Sequence, residues 1–138
     1  MLSIRLIPNS TDSQQFPSRR NPLMSTSTTI SPDADLVTLI NVFNVDPARQ
    51  QELVEALARA TREVFMTVPG FISANLHVGL DGKRVINYAQ WASEELFRQA
   101  LQRPDVSMHI AETTRIAESY DPTLVRVHSV HHAAERQA

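Results

Sequence analysis

A side-chain amide and an indole lie four residues apart, at Asn87 and Trp91, in a segment that predicts a β-strand over 84–91. Alternate residues share one face of a strand, so these two side chains are expected on the same face. Buried amides and indole N–H groups need hydrogen-bond partners. A bound ligand is one possible partner, so this strand is the first place to look for a binding site.

A histidine on the preceding strand can reach the same face only in one hairpin register. With a two-residue loop, His77 lies on the face opposite to Asn87. With a three-residue loop over 80–82, in which Gly82 is left-handed, His77 pairs with Val85 and joins the Asn87 face. We favour the three-residue loop, because it makes a glycine at position 82 necessary rather than merely permitted.

Composition excludes several classes of protein. The 138 residues are enough for one domain and one core. The net charge of −2 and the lack of a basic stripe argue against a nucleic-acid binder. With no cysteine there is no disulfide or thiolate metal site, and the chain is compatible with the cytoplasm. Three glycines exclude a G-x-G-x-x-G fingerprint and a phosphate loop. No apolar run approaches the roughly 20 residues of a membrane span, and the N-terminus is no convincing signal peptide.

Three histidines near the C-terminus, His128, His131 and His132, have a spacing that fits no standard zinc signature, so no metal site is predicted.

The element order predicts an α+β fold. Hydrophobic periodicity and turn residues predict strands over 36–45, 71–79, 84–91 and 123–130, a helix over 47–68, a helix capped by Ser93 and broken at Arg103-Pro104, and a helix over 105–119. This is the split βαβ order of ferredoxin-like folds, an antiparallel sheet with helices on one face.

The domain is expected to span 35–130, between two tails. Residues 1–34 are rich in Ser, Thr, Pro, Asn and Gln and predict a mobile tail, with a minor alternative in which 2–7 add an edge strand. Met24 is an alternative translation start to Met1. Residues 131–138 predict a C-terminal tail.

The first strand is apolar on both faces, yet the helices can cover only one of them. The second face is therefore expected to meet another copy of the chain in a two-fold homodimer.

Three stretches together resemble the antibiotic biosynthesis monooxygenase family of dimeric α+β barrels. They are LVTLINVFNVDPARQQELVEALARATREVF, PGFISANLHVGLDGKRVINYAQWASEELFRQAL and the closing strand, within about residues 36–128. In one branch of that family, small enzymes without cofactors use O₂ to oxidise aromatic polyketide phenols to quinones. The resemblance therefore implies a small aromatic substrate and no cofactor.

The resemblance also implies site residues. The catalytic Asn, Trp and His of that branch match Asn87, Trp91 and His77, with the amide and indole as oxyanion donors and the imidazole as proton acceptor or donor. Phe97 stands where such enzymes commonly have Tyr, which removes a phenol donor. The expected substrate-binding residues are aromatic or flexible side chains of the first strand and the helices: Phe43, Phe65, Phe97, Met108 and His109.

Two alternatives stay open at this stage. One is a non-catalytic dimeric module that binds a small hydrophobic ligand. The other is a haem-degrading barrel with His109 as the haem ligand and Asn41 or Asn44 as the first-strand amide. That alternative is disfavoured because the helix Trp of such enzymes corresponds to Ala100.

Overall fold

The computed structural model describes residues 26–134, which fold into one four-stranded antiparallel sheet and three α-helices. The elements are β1 Val37–Asn44, α1 Gln50–Glu63, β2 Phe71–Val78, β3 Arg84–Trp91, α2 Glu94–Leu101, α3 Pro104–Ile116 and β4 Ser119–Val125. The strand order is β2-β3-β1-β4, and the helices pack against one face, which we call the inner face. The predicted ferredoxin-like α+β fold is confirmed.

Local sequence explains where the helices begin. Asp46 Oδ1 accepts a hydrogen bond from the Ala48 amide at 2.9 Å and caps the short 3₁₀ turn Pro47–Arg49 that leads into α1. Ser93 Oγ accepts from the Leu96 amide at 3.1 Å and caps α2, as predicted. Pro104 opens α3, where its missing N–H has no cost.

Helix α1 is shorter than the sequence predicts. It ends at Glu63, and a 3₁₀ turn over Phe65–Thr67 follows instead of further α-helix. Gly70 then reverses the chain with a φ of 89°, and a Cβ at this position would lie 2.6 Å from Leu96 Cβ. The chain therefore needs glycine here both for its backbone conformation and for close packing against α2.

Strand β4 also differs from the prediction. It covers Ser119–Val125 and contains Pro122, whereas the predicted strand over 123–130 begins one residue after that proline. Within residues 26–134, β4 is an edge strand that pairs with β1 alone, and an edge strand tolerates a residue without an N–H.

The turn between β2 and β3 sets which residues share a face. Val78 pairs with Val85, and the Gly79 amide donates to the Arg84 carbonyl at 2.8 Å, so residues 80–83 form a four-residue loop. The Gly82 amide donates to the Gly79 carbonyl at 3.0 Å, and Gly82 is left-handed with a φ of 78°, as expected. The predicted three-residue loop is nevertheless wrong. A four-residue loop and a two-residue loop direct the side chains of the second strand to the same faces. His77 therefore pairs with Ile86 and lies on the face opposite to Asn87.

A bulge at the start of β2 moves one aromatic side chain to the inner face. Phe71 pairs with Trp91 and Ser73 pairs with Gln90, so one extra residue lies between them on β2. Phe71 thus lies on the same face as Trp91. Without the bulge, strict alternation along β2 would place Phe71 on the outer face with His77.

Part of the predicted N-terminal tail contacts the outer face of the sheet. Gln90 Nε2 donates to the Thr29 carbonyl at 2.9 Å, and Thr28 Oγ1 donates to Asn75 Oδ1 at 2.5 Å. Residues 28 and 29 therefore pack on the domain. The rest of both predicted tails lies largely outside the described residues, including the minor edge-strand alternative over 2–7.

Candidate active site

A cavity of about 300 Å³ lies between the inner face of the sheet and the helices. Its walls are mostly aliphatic and aromatic, with lining residues from all four strands and all three helices. The polar side chains among them are Asn41, Thr61, Asn87, Trp91, His109, Thr113, Thr114 and Tyr120. A mostly apolar cavity with a few convergent polar groups is the usual form of a small-molecule site.

Two asparagine amides lie side by side on the cavity wall. Asn41 of β1 and Asn87 of β3 are directly paired across the two strands. The Oδ1 atoms of both are buried and have no hydrogen-bond partner within residues 26–134. An unpaired buried amide costs free energy unless something else satisfies it. The pair is therefore well suited to bind polar groups of a ligand.

Trp91 closes one end of the cavity. Its side chain is buried and contacts the rings of Phe65, Phe71 and Phe97 edge to face, at centroid distances of 6.2, 5.4 and 5.5 Å. Its Nε1 is buried without a partner in the described part of the chain. The ring cluster holds the indole in one orientation, so its N–H is a preorganised donor.

Phe97 is part of this ring cluster, at the position where the resemblance leads one to expect Tyr. It lines the cavity and contacts Trp91, but it has no hydroxyl to donate. The hydrogen-bond donors of the site must come from other residues.

His77 does not belong to the site. It pairs with Ile86 on the outer face, is exposed, and its Nδ1 lies 3.0 Å from the Asn75 carbonyl. The prediction that His77 joins Asn87 and Trp91 is wrong, because it depended on the three-residue loop.

Four of the five residues predicted to contact substrate line the cavity: Phe43, Phe65, Phe97 and His109. Met108 does not, since 68% of it is exposed. Adjacent residues on a helix point about 100° apart, so Met108 and His109 cannot both face the sheet.

Sequence reasoning missed two cavity residues that only the sheet register reveals. Asn41 was considered only as a haem-site candidate, and Tyr120 was not proposed for the site. Both enter the cavity because β1 lies between β3 and β4, which pairs Asn41 with Asn87 and Phe43 with Tyr120.

Charged groups with shifted pKa values lie outside the cavity lining. A hydrogen bond from Arg49 lowers the pKa of Glu52, and one from Arg103 lowers the pKa of Asp105. Both pairs are at the surface.

No metal-binding group of three His, Asp or Glu side chains occurs in the described range, where His128 and His131 approach only Ser129 Oγ. Across residues 26–134, no helix has both the length and the apolar character to cross a membrane.

The family model of antibiotic biosynthesis monooxygenases matches residues 36–112. The chain belongs to this family. Among curated relatives, tetracenomycin-F1 monooxygenase of Streptomyces glaucescens is 47% identical over 81 residues, which cover 59% of this chain and 72% of that protein.

Two solved members of similar structure come from other streptomycetes. The ActVA-Orf6 monooxygenase of Streptomyces coelicolor, crystallised with nanaomycin D, is 28% identical with a TM-score of 0.63, over 73% of this chain and 95% of that one. SnoaB of Streptomyces nogalater, a cofactor-independent oxygenase, is 27% identical with a TM-score of 0.59, over 74% of this chain and 100% of that one. These matches confirm the resemblance seen in the sequence.

Proposed function

We propose that this protein is a cofactor-independent monooxygenase that oxidises a polycyclic phenolic substrate of polyketide type to a quinone with O₂. One observation carries the proposal: the side-chain oxygens of Asn41 and Asn87 and the indole N–H of Trp91 are buried without a partner among residues 26–134, and all three residues line a mostly apolar cavity. Family membership and the activities named for its relatives support the same reaction class.

The reaction needs no electron donor beyond the substrate. A hydroxyaryl ketone with a neighbouring CH₂ group loses a proton and becomes a delocalised anion. The anion transfers one electron to O₂, and the resulting radical and superoxide combine through a new C–O bond to a peroxide. Loss of the second C–H proton breaks the O–O bond, and its electron pair leaves with the distal oxygen. The CH₂ group and O₂ thus become C=O and H₂O.

The cavity fits the demands of this chemistry. Apolar and aromatic walls accommodate fused rings and exclude water, which strengthens every electrostatic interaction inside. The unpaired Trp91 N–H can stabilise negative charge on the substrate oxygen or on the peroxide. The amides of Asn41 and Asn87 can accept a hydrogen bond from a substrate hydroxyl at their unpaired Oδ1 atoms, and they can donate from their N–H groups. One such preorganised donor typically contributes about 10²–10³ in rate.

Oxygen consumption with a panel of anthrones and dihydroxynaphthalenes tests the proposal. We expect turnover by the wild type and a loss of about 10²–10³ in kcat for Asn87→Ala and for Trp91→Phe. Met108→Ala is the matched control, since Met108 lies outside the cavity, and it should behave as wild type. Absence of turnover with every substrate, or wild-type rates in both site variants, would favour a non-catalytic module that only binds a hydrophobic ligand.

We further propose that the outer face forms a two-fold homodimer. Its centre carries four half-buried apolar or aromatic side chains from the two middle strands: Ile40, Val42, Ile86 and Tyr88. Ile86→Glu should give the light-scattering mass of one chain, because it places a charge in this interface. Leu80→Glu, at a fully exposed turn, should keep the dimer. A wild type that is monomeric at micromolar concentration would contradict this proposal.

The cytoplasmic location remains a prediction from sequence.

A further inference from the structure

Proton transfer in the cavity needs a group that the sequence analysis assigned to His77. Within the cavity lining, the titratable side chains are His109 of α3 and Tyr120 of β4, with no carboxylate, lysine or arginine among them. Tyr120 is half exposed. Histidine is the side chain that exchanges protons near neutral pH, so His109 is the natural proton acceptor of this cavity.

The structure places a carboxylate behind this imidazole. His109 Nδ1 lies 3.6 Å from Glu112 Oε1, one turn further along α3, and only 18% of the His109 side chain is exposed. That distance is longer than a hydrogen bond, yet it is within the range of an ion pair once the ring is protonated.

An arginine from another helix fixes that carboxylate. Arg59 of α1 donates from Nη2 to Glu112 Oε2 at 2.8 Å. The two oxygens of Glu112 thus face different partners, Arg59 and His109. The carboxylate beside Nδ1 favours the tautomer of His109 that carries its proton on Nδ1, which leaves Nε2 as the acceptor.

We propose that His109 is a catalytic base and acid of the oxidation, and that Glu112, held by Arg59, is its positioning residue. The inference rests on the function proposed above. Nε2 takes the first proton of the substrate and returns it to the peroxide oxygen. It then takes the second C–H proton as the O–O bond breaks and delivers that proton to the departing hydroxide, which leaves as water.

His109 has one ion-pair contact among residues 26–134, with Glu112. Glu112 faces it from its own helix, Arg59 of α1 acts through Glu112, and Tyr120 is the titratable group on the sheet side. Removal of the Glu112 charge removes a stabilising partner of the imidazolium. Glu112→Gln should therefore weaken proton transfer through His109 without removing the base itself.

Steady-state oxygen consumption against pH tests both roles. His109→Ala should lower kcat/KM by about 10²–10⁴, the usual contribution of a general base, and added imidazole should restore part of the rate. His109→Gln keeps a polar side chain of similar size and should be equally impaired, which separates chemistry from folding.

Glu112→Gln should lower kcat/KM by less than His109→Ala does, because the base is still present but has lost the carboxylate that orients it. Glu112→Asp should recover part of the loss. Glu55→Gln, an exposed acid-to-amide change on α1, is the matched control and should change neither rate nor profile.

Three outcomes would overturn the inference. Wild-type kcat/KM in both His109 variants removes the base. An impaired His109→Ala that imidazole does not restore, together with an active His109→Gln, reduces the residue to packing. A Glu112→Gln variant with the kcat/KM of wild type removes the positioning role. In each case the proposed function stands if Asn87→Ala and Trp91→Phe show their expected loss of kcat. It fails if both variants turn over substrate at the wild-type rate.

Discussion

Gln90 and Asn87 are three residues apart on β3, and their side-chain amides lie on opposite faces of the sheet. The two amides differ in their hydrogen bonding. On the outer face, Gln90 is buried with both ends paired: Oε1 accepts from Ser73 Oγ at 2.7 Å, and Nε2 donates to the Thr29 carbonyl. On the inner face, the Asn87 Oδ1 has no partner among the described residues. The paired amide stabilises the fold, whereas the unpaired one is available for a ligand.

One other polar side-chain atom, on the outer face, is also buried without a partner in the described part of the chain. Thr38 is fully buried, and its Oγ1 also lacks a partner within residues 26–134. Nothing in the structure explains this atom. It does not line the cavity, so it does not weaken the contrast between the two amides.

The largest expected effect comes from an apolar substitution of similar size on the inner face. Asn87→Leu should lower kcat by about 10²–10³, because an oxyanion donor is lost. Its melting temperature should stay the same or rise, because an unpaired buried amide is replaced by an apolar group. Parallel measurement of oxygen consumption and thermal unfolding checks both parts. A variant that is clearly less stable would mean that Asn87 is a structural amide after all.

The same substitution on the outer face should have the reverse effect. Gln90→Leu breaks two hydrogen bonds and leaves the Thr29 carbonyl unpaired, so it should lower the free energy of unfolding by about 1–3 kcal/mol. Activity below the melting temperature should stay close to that of the wild type, because the Gln90 side chain points to the outer face and does not line the cavity. Urea unfolding provides the measurement. The contrast between the faces breaks down if Gln90→Leu loses activity but not stability.

The smallest expected effect belongs to His77. His77→Ala on the outer face should change kcat/KM by less than about twofold and stability by less than about 0.5 kcal/mol, as for an exposed side chain away from the site. A pH profile identical to that of the wild type completes the test. A large loss of activity would show that the outer face takes part in the reaction, for instance through a partner chain.

The sequence predicts the fold well because the relevant signals are local. The span of β3, the Ser93 cap and the break at Pro104 depend on residues close in the chain, and the structure confirms all three. The facing of Asn87 and Trp91 also follows from alternation within one strand.

The rest of the site depends on pairing between distant segments. Asn41 joins the site through the register of β1 against β3, over a separation of more than forty residues, which no local pattern specifies. His77 was misplaced because the parity of a hairpin follows from the hydrogen bonds of its turn, and a single extra residue reverses it. The bulge that turns Phe71 inward leaves no signal in the alternation of its neighbours.

Pro122 of β4 affects the hydrogen bonding available to Asn41 in the cavity. It lies opposite Asn41 on the β4 side and lines the cavity, and its side chain can neither donate nor accept a hydrogen bond. Asn41 is therefore flanked by an amide on one strand and by an inert ring on the other. The proline keeps the neighbouring strand from competing with a bound molecule for Asn41, so the amide remains available to whatever enters the cavity.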